Sequence, residues 1–163
     1  MKLLLKIVGG LLALVVLAAG AGLAYLFLAF PKADAPSAVR IEATPERLER
    51  GKYLAEHGSG CVGCHSERDW TKFAGPVKPG TAGRGGQRFA DGLPGVLYAK
   101  NITPAGIGSW TDGELLRAIT GGVSRDGTPL FPLMPYPRFG GMAEDDVHAI
   151  LAYVRSLKAV EGE

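Results

Sequence analysis

The two cysteines of the chain lie in one five-residue stretch that ends in a histidine. Cys61, Cys64 and His65 form the sequence Cys-Val-Gly-Cys-His. Four interpretations fit these residue types at this spacing. The cysteines could form a disulfide, bind a zinc ion with the histidine, act as a thioredoxin-like redox pair, or attach a haem whose iron the histidine ligates.

Three of these four interpretations fit the sequence poorly. A disulfide here would close a very small loop and stabilise little. A thioredoxin-like pair follows a strand of a βαβ unit, and no parallel-strand pattern is present. A structural zinc site takes four ligands, one more than the motif supplies. Because Cys-x-x-Cys-His is the attachment pattern of c-type haem, we predict one haem c, with Cys61 and Cys64 as thioether anchors and His65 as an axial iron ligand.

A six-coordinate iron needs a second ligand on the opposite face, and methionine sulfur raises the reduction potential. The candidates are Met134, Met142, His57 and His148. We expect His57 at the surface, His148 on the polar side of the last helix, and Met142 in a packing position before that helix. Met134 lies in a proline-rich segment that we expect to be extended. Met134 is therefore favoured as the second ligand, with a histidine or an open position as the alternative.

The first thirty residues precede the domain that holds the motif. Residues 7–30 contain no charged side chain. As a helix they would span roughly 36 Å, more than the roughly 30 Å hydrocarbon core of a bilayer. Lys2 and Lys6 precede them, which predicts a cytoplasmic N-terminus. We expect residues 1–30 to anchor the protein in the bacterial inner membrane with the haem domain in the periplasm; a cleaved signal peptide is the alternative.

The rest of the chain is predicted to be a linker, residues 31–44, followed by one domain, residues 45–160. Capping signals predict helices that begin after Thr44, after Thr111 and near Ala143. The long glycine- and proline-rich segment between the first two helices is predicted to be irregular, apart from a short hairpin at QRFADGLPGVLYA. The domain is therefore predicted to be all-α with long loops.

Charge excludes one class of partner. The chain has 18 Lys and Arg and 16 Asp and Glu, and two of the lysines precede residue 30, so the remainder is balanced at 16 to 16. Nothing in this balance indicates nucleic-acid binding. Residues 68–100 carry a net +4 and residues 101–163 a net −3. These segments are either ordinary solvated faces or a docking dipole.

Taken together, these features resemble those of membrane-anchored class I c-type cytochromes with one haem. The matching stretches are GKYLAEHGSGCVGCHSE, YAKNITPAGIGSWTDGELLRAITGGVSRDG, LFPLMPYPRF and DDVHAILAYVRSL. The chain is most similar to the cytochrome subunits of periplasmic alcohol, aldehyde or gluconate dehydrogenases. The resemblance implies a cytochrome c fold, in which three main helices and long loops surround a covalent haem.

The resemblance also assigns roles to single residues. It implies that Gly51 packs against Tyr153 where the first and last helices cross. It implies that the carbonyl of Pro76 accepts a hydrogen bond from the second ring nitrogen of His65. Three further residues are implied either to line the haem edge or, equally, to cap loops and pack in the core: Asn101, Thr103 and Trp110.

The function implied by the resemblance is one-electron transfer rather than catalysis. The donor would be a periplasmic dehydrogenase or a quinol-oxidising complex, and the acceptor a terminal oxidase or another cytochrome. One alternative is an obligate subunit of a single dehydrogenase complex. Another is a gas sensor or haem enzyme, but the sequence supplies no distal acid–base residue for such chemistry.

Overall fold

A computed structural model describes residues 1–30 and 33–162. The chain divides into two compact units, Met1–Ala35 and Pro36–Glu163. The predicted boundaries of anchor, linker and domain stay predictions.

The first unit consists of one long apolar helix, α1 (Lys2–Ala29). Its 28 residues correspond to roughly 42 Å at about 1.5 Å per residue. The mean hydropathy of its most apolar window is 2.5, and no residue of that window is buried. Helix α1 is therefore a candidate membrane anchor by length and composition. Its orientation, and whether it is cleaved, remain predictions.

Most of the regular secondary structure of the second unit is helical. Its helices are α2 (Pro45–Tyr53), α3 (Cys61–Cys64), α4 (Pro104–Ile107), α5 (Asp112–Gly121), α6 (Tyr136–Gly140) and α7 (Glu144–Ser156), and a π-helical turn (Leu54–Gly58) follows α2. The strands β1 (Arg88–Phe89) and β2 (Leu97–Tyr98) pair antiparallel, with Arg88 opposite Tyr98. The three predicted helices correspond to α2, α5 and α7, and the predicted hairpin is confirmed. The short helices α4 and α6 were not predicted.

Side-chain caps explain where α2 and α5 begin. The hydroxyl of Thr44 accepts the Arg47 N–H at 3.3 Å, and proline occupies the first position of α2. At α5, Thr111 and Glu114 cap each other's backbone N–H groups in a capping box. Helix α5 ends where Gly122 adopts φ 68°, the left-handed conformation that glycine tolerates. These starts were predicted because capping signals are local in sequence.

Helices α2 and α7 cross at Gly51. A β-carbon on Gly51 would lie 1.9 Å from the Ala149 carbonyl oxygen and 2.8 Å from Tyr153 Cβ. The contact between Gly51 and Tyr153 is thus confirmed, and the absence of a side chain lets the two backbones approach. Beside the crossing, Arg50 forms an ion pair with Asp146 at 2.8 Å.

One hydrophobic core joins these helices. Its members come from the π-helical turn after α2 and from α4, α5, α6 and α7, with α7 contributing four of them: Leu54, Ala55, Ile107, Leu115, Ile119, Phe139, Val147, Ile150, Leu151 and Val154. Partly buried side chains, among them Trp110, Met134 and Met142, pack against this cluster.

The later part of the predicted linker packs on this unit. The backbone N–H of Ile41 donates to the Asp112 carboxylate at 2.8 Å, at the start of α5. The carbonyl oxygen of Ser37 approaches Gly113 so closely that a β-carbon there would lie 1.8 Å from it. Residues 37–41 therefore run along the beginning of α5.

Candidate haem site

Helix α3 places the two cysteines at the ends of a single helical turn. The N–H of Cys64 donates to the Gly60 carbonyl, and the N–H of His65 donates to the Cys61 carbonyl, both at 2.9 Å. Both cysteines are free thiols; Cys61 is half-buried and Cys64 is exposed. Among residues 1–30 and 33–162, no group of three or more His, Cys, Asp or Glu side chains is placed to hold a metal ion.

Burial keeps both Cys61 and His65 in their neutral forms. It raises the pKa of the Cys61 thiol to about 11. It also lowers the pKa of His65 below its ordinary value of 6.5, although the hydrogen bond to Lys100 acts in the opposite direction. The His65 ring is thus neutral at pH 7, and neutral imidazole is the form that ligates metals.

The orientation of the His65 ring is set by a backbone carbonyl. The ring atom Nδ1 lies 2.8 Å from the carbonyl oxygen of Lys100. Because a carbonyl can only accept, Nδ1 carries the proton, and the lone pair of Nε2 remains available to a metal. Sequence reasoning missed Lys100, which is 35 residues away from His65.

The predicted bond from His65 to Pro76 is wrong. The Pro76 carbonyl accepts the backbone N–H of Asp69 at 2.8 Å. Residues 68 and 77 pair as an antiparallel bridge, which closes the intervening loop and directs this carbonyl towards the chain's own backbone. Pro76 itself is exposed. Its placement near the haem stays a prediction, although the hydrogen bond to His65 on which that prediction was based is not formed.

Gly85 contacts both the backbone of His65 and the backbone near Lys100, whose carbonyl orients the His65 ring. The N–H of Gly85 donates to the His65 carbonyl oxygen at 2.8 Å. Gly85 has φ 83°, and a β-carbon on it would lie 2.7 Å from the Ala99 carbonyl oxygen and from the Lys100 carbonyl carbon. Only glycine allows this approach together with this backbone conformation. The glycine-rich sequence GRGG, residues 83–86, was the signal that could have identified this support.

Met134 lies in a turn and not in an extended segment. Its N–H donates to the Phe131 carbonyl at 3.2 Å, and its own carbonyl accepts the Tyr136 N–H at 2.8 Å. The extended conformation predicted from the prolines is therefore wrong, because these two hydrogen bonds fold the chain on both sides of Met134. The side chain is half-buried against the core, whereas the neighbouring Leu133 is exposed. Ligation by Met134 stays a prediction.

The polar groups of the residues predicted at the haem edge are engaged within the protein. The Asn101 side-chain amide donates to the Val160 carbonyl at 2.8 Å, and its oxygen accepts the N–H and hydroxyl of Thr103 at 2.9 and 2.7 Å. The Trp110 carbonyl accepts the Arg155 guanidinium. These contacts correspond to the capping and packing alternative. A role for Asn101 and Trp110 beside a haem stays a prediction.

The other candidate ligands have the following positions. His57 is exposed, as predicted, with its ring beside Tyr53. Met142 is half-buried against the core, which fits the predicted packing role. The prediction for His148 is wrong, because its side chain is only 12% exposed, with Nε2 3.7 Å from Glu144. Its place on α7 follows from the neighbours that pack over it, which helix periodicity alone does not reveal.

Ion pairs partly neutralise the positive charge of residues 68–100. Lys78 and Arg84 both pair with Glu67, at 3.3 and 2.7 Å, and Lys72 pairs with Asp69 at 3.3 Å. Half of the six cations in the segment are therefore paired with a carboxylate. Whether this segment docks a partner stays a prediction.

Known proteins resemble this chain over most of its length. It is 36% identical over 120 residues to the gluconate 2-dehydrogenase cytochrome c subunit of Pantoea cypripedii, which covers 69% of this chain and 23% of the relative. It is 33% identical over 120 residues to the cytochrome c subunit of the quinone-dependent alcohol dehydrogenase of Gluconobacter oxydans, covering 69% of this chain and 22% of the relative. This chain is homologous to dehydrogenase cytochrome c subunits.

The matched region is only a part of each of these cytochrome c subunits. The chain spans about a quarter of the length of the two relatives. A diheme cytochrome c-type protein of Cereibacter sphaeroides is 30% identical over 149 residues, which cover 90% of this chain and 46% of that relative. No protein-family model matches the sequence. The dehydrogenase proteins that match are the cytochrome c electron-transfer subunits and not the catalytic subunits.

The residues of this cytochrome c homologue fit a covalently bound haem c. Cys61 and Cys64 are unpaired thiols one helical turn apart. His65 follows them as a neutral ring whose Nδ1 is fixed and whose Nε2 can accept a metal. In a Cys-x-x-Cys-His motif the two thiols form thioethers with the haem, and the imidazole ligates its iron. Cys61 and Cys64 would hold the haem, and His65 would hold its iron.

Proposed function

We propose that this protein is a membrane-tethered one-electron carrier with a single haem c. Cys61 and Cys64 bind the haem through thioethers, and His65 and Met134 are the axial ligands of its iron. The observation that carries the proposal is the hydrogen bond between His65 Nδ1 and the Lys100 carbonyl at 2.8 Å. It gives the histidine of a Cys-x-x-Cys-His motif the tautomer and fixed orientation that an axial ligand requires.

A cytochrome c fold is the arrangement we propose for the second unit. Helices α2, α5 and α7 with the intervening loops would surround the haem. The crossing of α2 and α7 at Gly51 supports this fold. The cysteine count supports a single haem on these residues, because the sequence has two cysteines and one attachment motif.

The bound haem supplies a reversible Fe(III)/Fe(II) couple. His65 and Met134 would ligate the iron in both oxidation states, which would limit structural change during electron transfer. Burial holds the His65 ring neutral, and the Lys100 carbonyl keeps the ring from turning. A methionine sulfur as second ligand would raise the reduction potential relative to a second histidine.

We propose that α1 tethers the haem domain to the bacterial inner membrane, with the N-terminus in the cytoplasm and the domain in the periplasm. Confinement to the membrane plane raises the effective concentration of membrane-bound partners. The donor would be a dehydrogenase or a quinol-oxidising complex, and the acceptor an oxidase or another cytochrome. A second candidate, a dedicated subunit of one dehydrogenase complex, is favoured by the names of the relatives. Stoichiometric co-purification with a large catalytic chain would distinguish the second candidate from a free carrier.

The test of ligation compares optical spectra of the haem-loaded full chain, its Met134→Ala variant and a Met142→Ala control. Met142, like Met134, is a half-buried methionine packed against the core. We expect the wild type and the control to show the iron–thioether charge-transfer band when oxidised and not to bind carbon monoxide when reduced. The Met134→Ala variant should lose the band and bind carbon monoxide. A wild type that binds the gas at once would contradict the carrier function and favour a sensor or haem enzyme.

A further inference from the structure

The end of the chain is fastened over the segment that carries Lys100. Residues 160–162, here called the C-terminal strap, lie against Asn101 and Thr103. The Asn101 amide donates to the Val160 carbonyl at 2.8 Å, and the Val160 N–H lies 3.3 Å from the Thr103 hydroxyl. Asn101 is 8% exposed and Thr103 is fully buried, so these contacts are shielded from water.

The strap has a second attachment point at Arg84. The Nε of Arg84 donates to the Glu161 carbonyl at 2.9 Å, while its Nη1 pairs with the Glu67 carboxylate at 2.7 Å. Gly162 lies so close that a β-carbon on it would approach Arg84 Cγ to 2.5 Å. The strap therefore joins two loop segments that are distant in sequence.

The two attachment points are the immediate neighbours of the residues that hold His65. Arg84 precedes Gly85, whose N–H donates to the His65 carbonyl. Asn101 follows Lys100, whose carbonyl accepts from His65 Nδ1. Gly85 and Lys100 also contact each other directly through their backbones. Movement of either loop segment would change the hydrogen bond to the His65 ring.

We propose that the C-terminal strap positions His65 by fixing the Lys100 carbonyl on Nδ1, and that it thereby tunes the reduction potential. The inference rests on the proposed ligation of the haem iron by His65. A hydrogen bond from the second nitrogen makes a ligating imidazole a stronger donor. A stronger donor favours Fe(III), so loosening the strap weakens the ligand and raises the reduction potential. Asn101 and Arg84 are positioning residues in this scheme.

Two variants of the haem-loaded full chain in detergent test the proposal. A stop codon at Ala159 removes the strap, and Asn101→Asp keeps an acceptor for Thr103 while it removes the donor to Val160. Thr44→Ala is the control, because it removes the side-chain cap of α2 and so lowers stability without touching the strap. The measurements are the midpoint potential and the exchange rate of the His65 Nδ1 proton by NMR in the reduced state.

Both strap variants should raise the midpoint potential, and both should increase the exchange rate of the His65 Nδ1 proton at least tenfold. Thr44→Ala should change neither quantity. A tenfold change in the Fe(III)/Fe(II) ratio at fixed ambient potential corresponds to about 59 mV. If the shortened chain does not mature, the Asn101→Asp variant decides the question. Potentials and exchange rates equal to those of the wild type would overturn the positioning role and leave the strap as packing. A wild type without an Nδ1 signal from an iron-bound His65 would instead overturn the proposed function.

Discussion

Substitution of Gly51 by alanine should separate the two helices on which the second unit depends. A β-carbon at this position would lie 1.9 Å from the Ala149 carbonyl oxygen, 2.5 Å from its carbonyl carbon and 2.8 Å from Tyr153 Cβ. The two nearest atoms belong to the backbone of α7, so a side-chain rotation cannot relieve the overlap. Helices α2 and α7 must move apart, and the core contacts of α7 loosen with them.

The magnitude follows from two opposing terms. Alanine is better than glycine in a helix interior by about 1 kcal/mol. Overpacking a close contact costs typically about 1–3 kcal/mol, and overlap with rigid backbone places this variant at the upper end. The free energy of unfolding should therefore fall by about 2 kcal/mol or more. With a urea m-value of about 1–3 kcal/mol/M, the unfolding midpoint should fall by about 1 M.

Urea unfolding of the haem-loaded full chain, followed by tryptophan emission, measures this difference. Gly121→Ala is the matched control, because it also lies in a helix but a β-carbon there would meet only Arg117 Cγ, at 3.9 Å. The control should unfold at or above the wild-type urea concentration. A Gly51→Ala variant within about 0.5 kcal/mol of the wild type would refute the close crossing of α2 and α7.

Two further substitutions probe the support of the His65 region and the surface of the helix crossing. Ser66→Ala should lower the free energy of unfolding by about 1–3 kcal/mol, because the fully buried Ser66 hydroxyl accepts the Gly83 N–H and that donor would lose its partner; urea unfolding measures the loss. Asp146→Asn should destabilise the protein at pH 7, and this difference from the wild type should disappear in acid. The hydrogen bond and charge of Arg50 lower the pKa of Asp146 below its ordinary 3.8 in the folded state. The stabilisation is therefore present above pH 3.8 and is lost as the pH falls through the lower pKa of the folded state. Urea unfolding at pH 7 and in acid measures both limits.

Each of these predictions has a result that would count against it. A Ser66→Ala variant as stable as the wild type would mean that the Gly83 N–H finds another acceptor. For Asp146→Asn, a loss of stability that stays constant from pH 7 into acid would show that the carboxylate charge is not the cause. Arg50→Gln provides the complementary control, because it removes the other partner of the same ion pair.

The features that the sequence determined by itself are those that depend on neighbouring residues. The spacing of Cys61, Cys64 and His65 places them on one helical turn, since hydrogen bonds between residues four apart define that turn. The caps at Thr44 and Thr111 fix the starts of α2 and α5 for the same reason. An uninterrupted apolar stretch is sufficient to predict α1, because a helix satisfies its own backbone hydrogen bonds.

Tertiary structure decided the contacts between segments that are distant in sequence. The carbonyl that orients His65 belongs to Lys100 and not to Pro76, which is nearer in sequence. Within the closed loop at residues 68–77, the Pro76 carbonyl accepts the backbone N–H of Asp69 instead. The burial of His148 likewise depends on which segments pack over α7. The C-terminal strap pairs Asn101 with a residue 59 positions later. A local sequence pattern cannot specify which backbone group lies opposite such a residue, because that choice depends on how the loops pack against one another.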